Sequence, residues 1–254
     1  MLIVSWNILQ GGGVRAKEIA EKLVEWKPDV VCLSEYRRGK NSELISKRLS
    51  SVGLNQHLMA KALGKPSTNR VFIASRFPFE EIALPEVYHG TGCWLAVRLQ
   101  CKSPLTIAAL HIPNRAELGG IKYEFQAKVV EFMKAHVDDD AIVIGDTNSG
   151  RQGEDEEGSY FNKREHKWFD AIGEAGWFDS WRKRNPEGRE YSWRTHAGAG
   201  FRLDQAFTSP SADKRVRTVG YLERPLSPVT GKQLSDHTPL QVTLEEVLKP
   251  ATTI

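Results

Sequence analysis

The chain has 254 residues, 40% of them hydrophobic and 26% charged, proportions that exclude wholesale disorder. No apolar run approaches the roughly 18 residues that a membrane-spanning helix needs. Lys and Arg number 35 against 32 Asp and Glu, a formal charge of +3, which permits a polyanionic partner without requiring one. Cys32, Cys93 and Cys101 are too few for a disulfide framework and fit a reducing cytoplasm. The apolar opening MLIVSWNIL has no basic segment before it and no small-residue cleavage site after it, so it reads as a first strand and not as a signal peptide.

Strand-like and helix-like stretches then alternate. Residues 2–8 (LIVSWNI) form a strand pattern, and residues 16–26 place Ile19, Leu23 and Trp26 at helical spacing before Pro28 stops them. DVVCLSE at 29–35 is the near-continuous apolar run of a buried strand. A second amphipathic helix is expected at about 42–51. QHLMA, RVFIAS, FEEIAL, CWLAVRLQ and LTIAALHI follow as strands punctuated by Gly and Pro. A long helix covers 123–136, a buried strand 141–146, and a helix 166–176 closed by Gly176. Shorter strands are expected near 191–193, 202–208, 216–222 and 239–244. The stretch 149–163, rich in Gly and charge, reads either as a mobile loop beside a site or as a solvated connection with no role. There is no internal repeat and no long linker, so a single domain spanning 1–254 is expected. Many short strands in both halves with interspersed helices suggest an α/β fold of two sheets packed face to face with helices outside.

Polar residues suited to metal and phosphate chemistry recur in one kind of place, at or just past the end of an apolar strand. Asn7 closes SWN, and Glu35 closes VVCLSE. His111 and Asn114 close AALHIPN, and Asp146 and Asn148 close IVIGDTN. Asp204 lies in FRLDQAF, and Asp236 and His237 lie in LSDHTPL. Taken singly, each has an ordinary structural explanation, such as a strand-end cap, an Asx-turn or a satisfied core histidine. Together they suit phosphoester chemistry. Carboxylate oxygens bind magnesium, which keeps several waters and needs only one or two protein carboxylates. Amides hydrogen-bond phosphate oxygens without adding charge. A histidine donates to the transition state or shuttles a proton, and an aspartate behind it fixes its tautomer.

The segments SWN, LSE at 33–35, HIPN at 111–114, GDTN at 145–148, RLD at 202–204 and SDH at 235–237 span almost the whole chain. In that order they resemble the endonuclease/exonuclease/phosphatase superfamily of magnesium-dependent phosphoesterases. The resemblance implies a deoxyribonuclease-like four-layer sandwich, two packed mixed β-sheets flanked by helices, with one active site at the top. It implies Glu35 as the main magnesium ligand (manganese being the expected substitute), with Asn7 and Asp236 close to the metal. It gives Asp146 the attacking water, Asn148 that water or a phosphate oxygen, and His237, oriented by Asp204, the developing phosphorane. His111 and Asn114 would contact the scissile phosphate or assist the leaving group.

Within the superfamily the last third of the chain is most similar to exonuclease III-type apurinic/apyrimidinic (AP) endonucleases. Trp193, Phe201 and Leu203 fall where that branch walls an apolar pocket for a sugar without its base. DNA, duplex or abasic, is then the expected partner, bound by a monomer. His111 departs from the tyrosine usual in that branch and resembles deoxyribonuclease or sphingomyelinase. With Leu9, the short RTHAGAG segment before RLD and the low net charge, it keeps open a small-molecule or lipid phosphoester as substrate. Basic residues flank the motifs: Arg37, Arg38 and Lys40 after Glu35, Arg115 after HIPN, Arg151 after GDTN, and the run Arg182, Lys183, Arg184. Such charges can track phosphates, and exposed Trp94 or Tyr160 can stack on bases. The acidic run 154–157 sits awkwardly for a polyanion.

Overall fold

The computed structural model describes residues 1–62, 65–86, 92–114 and 120–245. In chain order the strands are β1 (Leu2–Asn7), β2 (Val30–Tyr36), β3 (Gln56–Met59), β4 (Arg70–Ser75), β5 (Phe79–Ile82), β6 (Trp94–Leu99) and β7 (Leu105–His111). They continue with β8 (Ala141–Asp146), β9 (Phe178–Asp179), β10 (Trp193–Arg194), β11 (Gly200–Phe201), β12 (Asp204–Thr208), β13 (Val216–Tyr221) and β14 (Leu240–Leu244). The α-helices are α1 (Ala16–Glu25), α2 (Lys40–Ser50), α3 (Ile121–Ala135), α4 (Lys163–Glu174), α5 (Ser180–Arg184) and α6 (Pro210–Arg215).

Two six-stranded mixed sheets result, in the orders β13-β14-β1-β2-β4-β3 and β5-β6-β7-β8-β12-β9. Each carries one parallel pair at its centre, β1 with β2 and β7 with β8, flanked by antiparallel neighbours. The order of pairings is the same in both halves, a likeness of topology that no repeated residues betray. β10 and β11 form a separate two-stranded ribbon.

Alternation within the strands assigns the layers. Ile3, Val30, Cys32, Ile73 and Val242 of the first sheet pack on Val97, Ile107, Ile142, Ile144 and Ala206 of the second. The opposite face of the first sheet (Val4, Trp6, Val31, Leu33) takes Ile19 and Leu23 of α1 and Ile45 and Leu49 of α2. The opposite face of the second sheet (Ala108, Leu110, Val143, Phe207) takes Phe125 and Val129 of α3 and Trp168 and Phe169 of α4. Strands buried on both faces read as unbroken apolar runs, which is why VVCLSE and AIVIGD lack period-two alternation. Among the described residues no helix is long and apolar enough to cross a membrane.

Three expectations need correction. The segment 149–163 is pinned, not loose. Asp155 and Glu156 are buried, and Glu156 accepts from the backbone N–H groups of Gly153 (3.0 Å), Tyr160 (2.6 Å) and Phe161 (2.7 Å). Half of the acidic run thus faces inward, satisfied by backbone donors and arginines. Helix α4 begins at Lys163, earlier than its apolar period shows, because Asn162 and Glu165 form a capping box. Trp94 is no exposed stacking platform: its ring lies 5.2 Å from that of Phe125 and 6.0 Å from that of Phe132. Tyr160 is 65% exposed, as expected.

Candidate active site

The central strands of the two sheets end at one common edge. In the parallel pair β7–β8, His111 stands opposite Asp146. In the antiparallel pair β8–β12, Asp146 stands opposite Asp204. Asn7, at the end of β1, is opposite Ser34, next to Glu35. Because neighbours such as β12 and β14 run antiparallel, their beginnings share the edge with the ends of β1, β2, β7 and β8. Asp204, Asp236 and His237 therefore sit at strand entries, and the strand-end pattern in the sequence is only half of the rule.

Two of these side chains are aimed by unusual backbone. Glu35 has φ +57° and lies where the β2–β4 register shifts between Leu33 and Tyr36. A bulge re-aims a side chain, and a non-glycine residue in this region costs of order 1–3 kcal/mol. The Gln10 N–H offsets part of that cost by donating to Glu35 Oε2 at 2.8 Å. Asn148 has φ +47°, a region that Asn tolerates better than most residues. It is locked there by its own N–H on Asp146 Oδ1 (2.9 Å), its side-chain Nδ2 on the Ile112 carbonyl (2.8 Å) and Lys122 Nζ on its carbonyl (2.7 Å). Lys122 is buried and ion-paired with Glu165, so α3 and α4 jointly brace the residue. One side-chain N–H of Asn148 is spent on the fold, which leaves its amide oxygen and its second N–H for a ligand.

Asp146 is the hub. Its Oδ2 accepts from Asn7 Nδ2 at 3.0 Å and lies 3.7 Å from the Nε2 atoms of both His111 and His237. His237 donates from Nδ1 to Asp204 Oδ2 at 2.7 Å. Burial pushes the His237 pKa down, but Asp204, and after it Asp146, outweigh this and raise it to about 10. The ring is an imidazolium at neutral pH, with Nε2–H directed to the Asp146 side. Asp204 is held from behind by the Tyr221 hydroxyl on its carbonyl and by its own N–H on Ser192 Oγ (3.0 Å).

Glu35, His111, Asp146, Asn148, Asp236 and His237 line a cleft of about 590 Å³ with Thr68, Asn69, Cys93, Pro113, Asn114, Trp193 and Leu203. Among its described lining residues are three carboxylates, Glu35, Asp146 and Asp236, and neither Lys nor Arg. Hard oxygen donors gathered in one cleft fit a divalent cation that keeps part of its water shell. Asp146, Asp204 and His237 also offer ligand atoms within 4.8 Å of one another. In that trio the Nδ1 and Oδ2 atoms already bind each other, so Glu35 and Asp236 are the better-disposed pair. Asn7 stands beside the carboxylates, yet Leu9 N–H occupies its Oδ1 (3.0 Å) while Nδ2 faces Glu35 and Asp146. Ligation through Oδ1 would require the amide to turn over.

The expected substrate wall is met in part. Trp193 and Leu203 line the cleft, whereas Phe201 is buried behind them against Tyr160, Phe161 and Trp193. Arg37 and Arg38 line a neighbouring hollow of about 490 Å³ with Lys40, and Arg37 donates to Asn69 Oδ1 at 2.6 Å. Arg115 lies outside the described residues. The run 182–184 does not form a phosphate track: Arg182 pairs with Asp155, and Lys183 and Arg184 pair with Asp213. Arg151 pairs with Asp170.

Thr68 and Asn69 were not evident from sequence because they precede β4, an entry and not an exit. Buried Arg70 holds their loop by donating to the carbonyls of Pro66 (3.2 Å) and Thr68 (2.8 Å). Ser192 and Ser235 were also missed: the first holds Asp204, and the second donates to the Asn7 carbonyl at 2.6 Å. Serines beside aspartates carry no signal of their own.

A cleft of carboxylates and imidazoles at the meeting edge of two mixed sheets defines a hydrolase of phosphate esters with a deoxyribonuclease-like fold. The sequence matches the Endonuclease/Exonuclease/phosphatase family over residues 4–237, and the chain belongs to that family. No curated protein matches the sequence significantly. An AP endonuclease from Archaeoglobus fulgidus shares the fold with a TM-score of 0.79 at 18% identity, covering 97% of this chain and 100% of that one. A 3'-5' exonuclease from Neisseria meningitidis gives 0.77 at 22%, and a Neisseria 3' phosphatase bound to product DNA hairpin gives 0.75 at 21%, both with the same coverage. At these identities the likeness is one of fold.

Proposed function

We propose that the chain is a magnesium-dependent DNA phosphodiesterase acting as a monomer, an exonuclease III-like AP endonuclease and 3'-5' exonuclease in repair. The observation that carries the reading is the double approach to Asp146 Oδ2 by His111 Nε2 and His237 Nε2, both at 3.7 Å. This makes Asp146 the proton acceptor between two imidazoles. It orients a water for in-line attack on phosphorus, with the Asn148 amide oxygen taking the second hydrogen. His237 donates Nε2–H to the phosphoryl oxygen on which charge accumulates, and Asp204 keeps the ring charged and fixed. His111, at the cleft mouth with Asn114, serves the scissile phosphate and the departing oxygen. When bound by Glu35 and Asp236, with Asn7 alongside, magnesium or manganese neutralises phosphate charge and lowers the pKa of a water or leaving alkoxide. Trp193 and Leu203 offer an apolar wall to a sugar that has lost its base. Arg37 and Arg38, in the adjoining hollow, meet phosphates further along the strand.

The test is a duplex with one abasic site, incubated with protein and magnesium. Incision beside the abasic site is expected, and an intact duplex would refute this subtype. A second reading, hydrolysis of a small phosphoester, is favoured by His111 and by the absence of Lys or Arg among the described cleft-lining residues. Turnover of nucleotides or sugar phosphates with the duplex left intact would favour it.

A further inference from the structure

The strip Ser192–Trp193 touches three of the groups assigned above. Ser192 Oγ accepts from the N–H groups of Leu203 and Asp204, each at 3.0 Å. The Trp193 backbone bridges to His237, and the Ser192 carbonyl takes the Thr238 N–H at 2.7 Å. The Trp193 indole Nε1–H donates to Asp236 Oδ2 at 3.1 Å. Asp236 has no other well-placed donor among the described residues. Its Oδ1 lies 3.4 Å from Ser235 Oγ, but that hydroxyl's one proton is committed to the Asn7 carbonyl at 2.6 Å.

We propose that Trp193 is the positioning residue of the cation site: the indole that walls the substrate cleft also holds the carboxylate that receives the metal. The inference rests on the assignment of Asp236 to the cation. One indole cannot move against an occupant without moving its own N–H, so seating a substrate on the wall changes how Asp236 is held. Phe201, paired with Trp193 across the β10–β11 ribbon and 5.7 Å from its ring, fixes the indole from behind. That gives Phe201 a reason to be apolar although it does not line the cleft. A carboxylate held by one donor keeps its orientation and its second oxygen, and loss of such an outer partner typically weakens metal binding by about 10- to 100-fold.

The test is a double-mutant cycle on manganese affinity, read by titration of the free ion's magnetic resonance signal with no substrate present. Trp193→Phe keeps an aromatic wall and removes the donor; Asp236→Asn removes the carboxylate charge. Each variant is first checked for a cooperative thermal transition, and Trp193→Leu, which also lacks a donor, replaces any Trp193→Phe protein that does not fold. Trp193→Phe is expected to weaken manganese binding about tenfold, and to have little further effect in the Asp236→Asn background. Unchanged affinity in Trp193→Phe, or an equal loss in both backgrounds, overturns the inference. If Asp236→Asn alone leaves affinity intact, the metal assignment fails and the inference falls with it. Because no turnover is measured, failure of DNA incision leaves this result standing.

Discussion

In the proposed reaction Asp146 and His237 are the reacting groups, and Asp204 acts through His237. His237→Ala is expected to lower kcat by about 10²–10³, the usual cost of removing one preorganised donor. It also strands the buried Asp204 carboxylate, whose Oδ1 already has no partner, so some loss of stability accompanies it. Steady-state kinetics beside a thermal melt separates the two effects: a wild-type rate in the folded variant would show that His237 does not serve the reaction. Glu35→Gln keeps shape and removes charge. It is expected to raise the magnesium concentration needed for half-maximal activity while leaving the fold in place. An unchanged magnesium dependence would remove Glu35 from the cation site.

At the scale of the strand, one glycine sets the spacing of the site. Gly145, just before Asp146, has φ +143°, and a Cβ there would stand 2.0 Å from the Leu110 carbonyl oxygen. That oxygen belongs to β7, the strand that carries His111, so a side chain would force β7 and β8 apart. Gly145→Ala is expected to destabilise the protein by more than about 3 kcal/mol in a denaturant melt, the range in which backbone strain and overpacking act together. Gly153→Ala is the control: its φ of +76° is strained, but nothing lies within 4 Å, so roughly 1–2 kcal/mol is expected. Equal losses would show that the close approach at Gly145 is not decisive. The motif GDTN is therefore half chemistry and half packing.

Across the whole molecule, a buried ion network ties the 149–163 segment to the second sheet. Arg202 is fully buried and bonds Asp155 (Nε to Oδ1, 2.7 Å) and Asp179, while Arg182 reaches Asp155 at 2.8 Å. Burial by itself raises the Asp155 pKa, but Arg202 above all, then the Arg151 backbone N–H and Arg182, bring it below the ordinary 3.8. A carboxyl with a lowered folded pKa contributes stability above its unfolded pKa and loses it as pH falls through the folded value. The thermal midpoint of the wild type is expected to drop once pH falls below about 4. Asp155→Asn should be less stable by about 3–5 kcal/mol at neutral pH, because buried Arg202 loses one of its two carboxylate partners, and its midpoint should depend less steeply on acid. Parallel acid profiles for the two proteins would contradict the assignment. The same network explains why RLD was legible in the sequence while the role of its arginine was not: Asp155 and Asp179 lie far from it along the chain.

The sequence by itself determined most of the strand and helix pattern and the two-sheet class, and it singled out polar residues that the fold brings to one edge. Buried strands, amphipathic helices and the motif residues at their ends are local properties of the chain. Whether 149–163 packs against the fold, whether Phe201 lines the cleft, and whether the basic run 182–184 is already ion-paired were decided only in three dimensions. In each case a partner distant in sequence claims the group. Strand direction decided the rest: antiparallel neighbours bring their beginnings to the edge where parallel strands end, so Asn69 joins Asp146 without any spacing along the chain to announce it, while Trp193 reaches the same cleft from a separate ribbon.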